Sequence, residues 1–242
     1  LGRIGHPRAV EPLIPLLQDT VKAVRNEAAQ ALGTLGKTAF PQLLEALSHR
    51  EWLVRLHAVE AMGKIRAREA VAPLLTVLFH DADMIVKVEA ARSLGQIGDP
   101  HAVSHLVIAM GERDLRTPAI EALGQIGDHQ AIPALVAVLK GSTRPPDTRM
   151  VTGCGDQWDE EMTAMEEAVR ALGRMKAEST IPVLISALRN TVTRPEAATA
   201  LVSCGAAAIP PLLGVLKEEQ DQNIRFHAQD ALARLGWRTG RI

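Results

Sequence analysis

The chain has no Tyr, three Phe and three Trp in 242 residues, so aromatics make up 2% of it while apolar residues make up 47%. A core this poor in aromatics must be built from Ala, Leu, Val and Ile. Such a core suits closely packed helices and argues against a sandwich or barrel, whose strands favour aromatic and β-branched residues. Two Cys cannot form a disulfide framework. No apolar run approaches the length that spans a bilayer, and no secretory signal is visible. The formal net charge of −1, with charged residues at 23%, argues against disorder and against a strongly basic nucleic-acid binder. The expectation is a cytoplasmic, all-α protein with neither a membrane nor a nucleic acid as partner.

What the chain does contain is self-similarity. AQALGTLG (29–36) recurs as VEAMGKIR (59–66), ARSLGQIG (91–98), IEALGQIG (120–127), VRALGRMK (169–176), ATALVSCG (198–205) and QDALARLG (229–236). The strings end at Gly36, Arg66, Gly98, Gly127, Lys176, Gly205 and Gly236. They divide the chain into repeats of roughly 30 residues, at 6–36, 37–66, 67–98, 99–127, 128–176, 177–205 and 206–236. Residues 1–5, LGRIG, read as the remnant of a preceding repeat. With Leu rather than Met first and an apolar face uncovered at that end, the expectation is a longer parent protein or self-association through an end.

Each repeat reads as two helices. In the first, Leu13, Ile14, Leu16 and Leu17 form an apolar face at helical spacing, and Asp19-Thr20 punctuates it. Val21, Val24, Ala28, Ala31, Leu32 and Leu35 then share one side of a second helix. Gly36 ends that helix where left-handed backbone is needed. Small residues at Ala28, Ala29, Ala31 and Gly33 allow close approach of neighbouring helices. Pro12, Pro41, Pro73, Pro133, Pro182 and Pro210 all lie near the start of a first helix, where a missing N–H costs little. No repeat could bury its apolar faces alone. The expected fold is therefore one α-solenoid, 1–242, of seven antiparallel helix pairs.

The strings VRNEAAQALGTLG (24–36) and VKVEAARSLGQIGDPHAV (86–103) resemble the short HEAT-like repeat of the phycobilin lyase family. The resemblance covers the chain outside one insertion. It implies an α-solenoid whose second helices line the concave face, and it leaves function open, since such repeats serve scaffolds, lyases and hydroxylases alike.

Aligned on their ends, the repeats show a basic column: Arg25, Arg55, Lys87, Arg116, Arg194 and Arg225, with Met165 the exception. A cation recurring inside the repeat motif is expected to be structural, its head pairing with an acid such as Asp19 or Asp81. Three further columns are expected to face solvent on the concave side. Two residues beyond the cation stand Glu27, His57, Glu89, Pro118, Glu167, Glu196 and His227. Six before each end stand Gln30, Glu60, Arg92, Glu121, Arg170, Thr199 and Asp230, and two before it Lys64, Arg174 and Arg234 among others. An acidic lane with a mixed margin would suit a polar, partly basic segment of another protein. The candidate concave site is Glu27, Gln30, His57, Glu60, Glu89, Arg92, Glu121, Glu167, Arg170 and Arg174.

His57 with Glu60, and His227 with Asp230, each put imidazole and carboxylate on one helix face, as a di-iron bundle would need. They stand in the second and seventh repeats, roughly 40–50 Å apart at one helix layer per repeat. No metal, cofactor or catalytic residue is expected.

The fifth repeat carries an insertion, GSTRPPDTRMVTGCGDQWDE (141–160), between a first helix ending near Lys140 and a second starting near Glu160. Long loops in compact arrays tend to be functional or disordered. Arg149, Cys154, Asp156 and Trp158 are its candidate binding residues, and Trp158 is the natural contact anchor. Cys154, flanked by glycines, is the thiol with a claim to exposure, whereas Cys204 stands in an apolar column and is expected to be a buried filler. The expected function is a non-enzymatic scaffold that binds another protein on its concave face and insertion. The alternative, from the resemblance, is a bilin lyase or chromophore-handling subunit.

Overall fold

The computed structural model describes residues 6–141 and 155–237, and all regular structure in them is helical. The chain is an all-α solenoid built as two compact units, Leu1–Ile126 and Gly127–Ile242. In the first, short helices α1 (Val10–Leu13), α3 (Phe40–Ala46), α5 (Val71–His80) and α7 (Val103–Ala109) alternate with α2 (Lys22–Leu35), α4 (Trp52–Ile65), α6 (Met84–Ile97) and α8 (Arg113–Ile126). In the second, α9 (Ile132–Gly141), α11 (Ile181–Ala187) and α13 (Ile209–Glu218) alternate with α10 (Gly155–Met175), α12 (Arg194–Ser203) and α14 (Gln222–Arg234).

Within each unit the second helices pack on one another: α2 on α4, α4 on α6, α6 on α8, and α10 on α12, α12 on α14. The first helices meet only sparsely, as α5 with α7 and α11 with α13. The second helices thus form the closely spaced layer, which we call the inner one. Its spacing follows from small residues, as a methyl group on Gly95 would lie 2.7 Å from Ala122 Cα, and one on Gly173 2.6 Å from Ala200 Cβ. Ala28, Ala58, Ala90, Ala91 and Ala119 are buried in the same layer. Leu32, Leu43, Met62, Leu74, Leu94 and Leu123 fill the space between layers with fully buried side chains.

The strings of the repeat end on left-handed backbone. Gly36, Gly98, Gly127, Gly205 and Gly236 have φ between +61° and +77°, while Arg66 and Lys176 adopt +54° and +50° at the same place. A Cβ in that region costs about 1–2 kcal/mol, partly offset by the extra freedom glycine gives the unfolded chain. Arg66→Gly and Lys176→Gly should each therefore gain about 0.5–1 kcal/mol. Denaturant melts check this; a lower stability in either variant would contradict strain at these positions.

The basic column braces the turn between the helices of a pair. Arg25 Nη1 donates to the carbonyls of Asp19 (2.7 Å) and Thr20 (3.2 Å), and Arg55 Nη1 to those of His49 (2.8 Å) and Arg50 (3.1 Å). Arg116 and Arg194 reach Met110 (3.2 Å) and Leu188 (2.8 Å) through Nε, and Arg225 reaches Leu216 and Glu219. These are carbonyls left over where a helix stops. Arg55 also pairs with Asp81, as its sequence position suggests. Arg25 instead takes the backbone of Asp19, whose carboxylate accepts the Val21 N–H at 2.8 Å.

Two boundaries differ from the sequence reading. The apolar face from Leu13 to Leu17 is not one helix: α1 stops at Leu13 and a 3-10 turn, Pro15–Gln18, follows. Pro15 has no N–H to continue the ladder and disfavours helical backbone before it. Leu16 is left exposed as a result. In the fifth repeat the second helix starts at Gly155, not near Glu160. Asp159, Glu160 and Glu161 have the polarity of a loop, yet they occupy the second turn of α10, where Asp159 and Glu160 are exposed. This also accounts for Met165 in the basic column. The residue six before it, Asp159, lies inside α10, so no free turn carbonyl awaits an arginine, and Met165 is buried.

Candidate functional site

In the first unit, α2, α4, α6 and α8 bring Glu27, Gln30, His57, Glu60, Glu89, Arg92 and Glu121 onto the inner layer. Glu27, Gln30 and Arg92 are exposed, while Glu60, Glu89 and Glu121 are half-buried. His57 is buried, at 5% exposure, contrary to the exposed column expected for it. Arg25 from the neighbouring repeat covers it: Nε donates to His57 Nε2 at 3.3 Å. Arginine has no acceptor to offer, so Nε2 is the unprotonated nitrogen and Nδ1–H faces Glu60 Oε2 at 2.9 Å. Lys64 Nζ closes the chain on Glu60 Oε1 at 2.8 Å.

Sequence spacing pairs His57 with Glu60 correctly, as a hydrogen-bonded relay that Lys64 closes. Among the described residues, no three His, Cys, Asp or Glu side chains converge as metal ligands. The His57 hydrogen bond, with help from Lys64, overcomes burial and holds the Glu60 carboxyl at about 2. Burial pushes the neighbouring Glu89 the other way, and the charge of Glu60 adds to that rise. Its nearest cation, Arg92, stands 3.8 Å away.

These opposite shifts give a pH test. A depressed carboxylate contributes stability that is present above its unfolded value, 4.5, and lost as pH falls towards 2. Glu60→Gln should cost about 1.5–3 kcal/mol at neutral pH, the scale of hydrogen bonds to a charged group, and the difference from wild type should shrink below about pH 4. Glu89→Gln should be neutral or stabilising at neutral pH. Urea titrations at neutral and acid pH read both, and a pH-independent Glu60→Gln effect would contradict the relay.

In the second unit, Arg170 on α10 is the hub. It binds Glu167 at 3.0 Å, Glu196 of α12 at 3.2 Å and Glu166 at 3.3 Å. Arg174 stands 3.3 Å from the other oxygen of Glu167. Glu167, expected on the surface, is 9% exposed because these two arginines lie over it. A groove runs beside them, floored by Gly173 and Ala200 and walled by Arg170, Arg174, Thr199 and Ser203. Arg234 of α14 reaches Thr199 Oγ1 at 3.3 Å. The inner layer thus presents ion pairs spanning adjacent helices more than a bare acidic lane. Pro118, in the same column, sits inside α8 and removes one bond of its ladder.

Arg149 and Cys154 of the insertion lie outside the described residues. Asp156 and Trp158 fall in the first turn of α10 rather than in a loop. Cys204 is half-buried rather than fully buried, because it caps the C-terminus of α12 instead of lying within it. Burial pushes its thiol up, against a smaller opposing effect of a hydrogen bond with Thr180. The bridge from Arg25 to His57 went unread in sequence; the recurring basic column was its available signal.

The HEAT repeat model matches residues 1–46, 40–117 and 159–233, most of the chain. The chain belongs to the HEAT repeat family. The PBS lyase HEAT-like repeat model also matches, over residues 116–141. No curated protein matches this HEAT repeat protein in sequence. Among solved structures it is similar to the CpcE–CpcF complex of phycocyanin lyase from Nostoc sp. PCC7120, at 21% identity and TM-score 0.53, covering 93% of this chain and 94% of that one. It is also similar to yeast importin-beta (Kap95p), at 18% identity and TM-score 0.59 over 94% of this chain and 35% of that one. Kap95p studied with RanGDP gives 17% identity and TM-score 0.64 over 95% and 36%. This HEAT repeat protein therefore spans about a third of Kap95p. At these identities the likeness is one of fold. Among the described residues no helix is long and apolar enough to cross a membrane.

Proposed function

We propose that this HEAT repeat protein is a protein-interaction scaffold that holds a polar, partly basic segment of another protein against its second helices and the 141–160 insertion. The carrying observation is the set of carboxylates on neighbouring inner helices. In the first unit Glu27, Glu60, Glu89 and Glu121 outnumber Lys64 and Arg92 along the inner face. Glu89 pairs loosely with Arg92 at 3.8 Å and burial outweighs the nearby cations, so a partner's Lys or Arg there would meet a carboxylate that is already desolvated. Complementary charge of this kind selects partners and speeds encounter more than it adds affinity. In the second unit the groove is lined by Arg170, Arg174 and Glu196, a mixed set that fits a segment of mixed charge. The likeness to Kap95p, studied with RanGDP, and to CpcE, solved in complex with CpcF, supports a protein as partner.

Co-purification followed by mass spectrometry tests this. A Glu27→Lys/Glu89→Lys double variant should lose a protein that the wild type retains, at unchanged helical content. Retention of the same set of proteins by both would overturn the inner-face reading. Bilin handling is the second reading, favoured by the match of residues 116–141 to the lyase-type repeat. A change in the visible absorption of a bilin on mixing would support it, and an unchanged spectrum would oppose it.

A further inference from the structure

Where Pro15 breaks the first helix of the opening pair, a groove opens between that broken segment and α3. Its floor is apolar: Ile14, Pro15 and Ala46, with Val54 from α4. Gln42 also lines it, and the buried Gln42 Oε1 has no hydrogen-bond partner among the described residues. A buried acceptor without a donor costs about 1–3 kcal/mol, an expense native proteins seldom leave uncompensated. At the rim stand Glu11 and Glu45, both exposed, and among the described residues no Lys or Arg lines the groove. His49 is tied into its own turn, its Nδ1 accepting the Glu51 N–H at 3.1 Å. Leu16 and Leu44, next in sequence to Pro15 and Glu45, are exposed large apolar side chains that extend the greasy surface beyond the groove.

These features define their occupant. The floor takes one aliphatic side chain, Gln42 asks for an N–H donor, and the two carboxylates ask for cations on either side. We propose that this groove docks an apolar side chain of a partner protein, carried on a Lys- or Arg-flanked segment whose backbone N–H satisfies Gln42. The site lies on the first-helix side and is independent of the inner-face reading. An aliphatic anchor in a pocket with a charged rim is a common division of labour in recognition, the anchor giving affinity and the rim giving selectivity.

The probe is a capped pentapeptide with one Leu between two pairs of Arg, titrated into the full 15N-labelled chain and followed by amide chemical shifts. Saturable shifts are expected at the Gln42 side-chain amide and at Ala46 and Val54. Glu11→Lys/Glu45→Lys should weaken binding about tenfold, the scale of two rim charge pairs. Gln42→Leu should weaken it while raising stability, which separates lost recognition from a lost fold. A peptide with Ala for Leu, or with Glu for Arg, should bind worse than the probe. Equal binding of the Glu-flanked peptide, or binding unaffected by these variants, would overturn the proposal. So would an absence of shifts at the groove. Sedimentation supplies the remaining arm: a concentration-dependent dimer abolished by Ala46→Arg would assign the groove to a second copy of this chain and overturn the proposal.

Discussion

Gly95→Ala lowers the stability of this protein, whereas Gly214→Ala raises it, although both glycines lie inside helices. In a helix interior alanine gains about 0.5–1 kcal/mol over glycine by restricting the unfolded chain. At Gly214 nothing lies within 4 Å of the added methyl, so α13 keeps the whole gain. At Gly95 the methyl falls 2.7 Å from Ala122 Cα and 2.8 Å from Gln125 Oε1. The glutamine can move aside. The α8 backbone cannot, short of prising α6 and α8 apart, and overpacking of this kind costs about 1–3 kcal/mol. The net loss at Gly95 should reach about 2 kcal/mol, and at about 2–4 °C per kcal/mol the two variants should melt on opposite sides of the wild type. Gly95→Leu should exceed both. Shifts of the same sign at Gly95 and Gly214 would show that helix propensity, not helix spacing, governs the inner layer.

Among the charged side chains the largest single-residue loss is expected at Arg55. Its guanidinium is only 12% exposed and lies 2.8 Å from Asp81 and 2.6 Å from Asp83, while Nη1 also holds two turn carbonyls. Asp81 is 5% exposed. Arg55→Met leaves that carboxylate buried without its counter-ion, a change that costs about 3–5 kcal/mol. Arg116, whose Nε donates to the Met110 carbonyl, should lose only about 1 kcal/mol on the same substitution. Arg55→Lys should recover a minor part, since an ammonium cannot reproduce the fork that meets both aspartates. Burial pushes the Asp81 carboxyl up, but the Arg55 bond and the Asp83 N–H outweigh it and hold the group below the ordinary value of 3.8. The gap between wild type and Arg55→Met should therefore be full at neutral pH and close as pH falls below about 4. Urea unfolding across that range measures it, and a gap that persists in acid would mean packing of the arginine stem, not charge, sets the loss.

These two cases mark where sequence pattern suffices and where it stops. The Gly at the fourth position from the end in five of the seven strings, and the positive φ that ends the strings on Gly in five and on Arg66 and Lys176 in two, come straight from backbone geometry that glycine satisfies most easily. Local rules of that kind are visible in one chain. The break at Pro15 was also visible, but the apolar spacing of Leu13, Ile14, Leu16 and Leu17 outweighed it. The start of α10 was hidden because Asp159, Glu160 and Glu161 have the polarity of a loop although they lie inside the helix. The burial of His57 and Glu167 was least legible. Each is covered by an arginine, Arg25 in one case and Arg170 with Arg174 in the other, and the Arg25 contact depends on how neighbouring repeats are offset. A column of side chains says which face a residue takes, and its neighbour's register decides whether that face meets water.

The tight contacts of the inner layer have a mechanical consequence. In the first unit α2, α4, α6 and α8 approach one another at Gly33, Gly63 and Gly95, each without room for a further methyl group, while the first helices are loosely met. Such a stack behaves like a spine whose inner edge is inextensible and whose outer edge gives. Bending it leaves the pitch of the carboxylate ladder unchanged and alters the width of the outer gaps, the one beside Pro15 included. A ligand wedged in that gap would resist bending at no cost to the inner face, so curvature and outer occupancy are coupled by geometry alone.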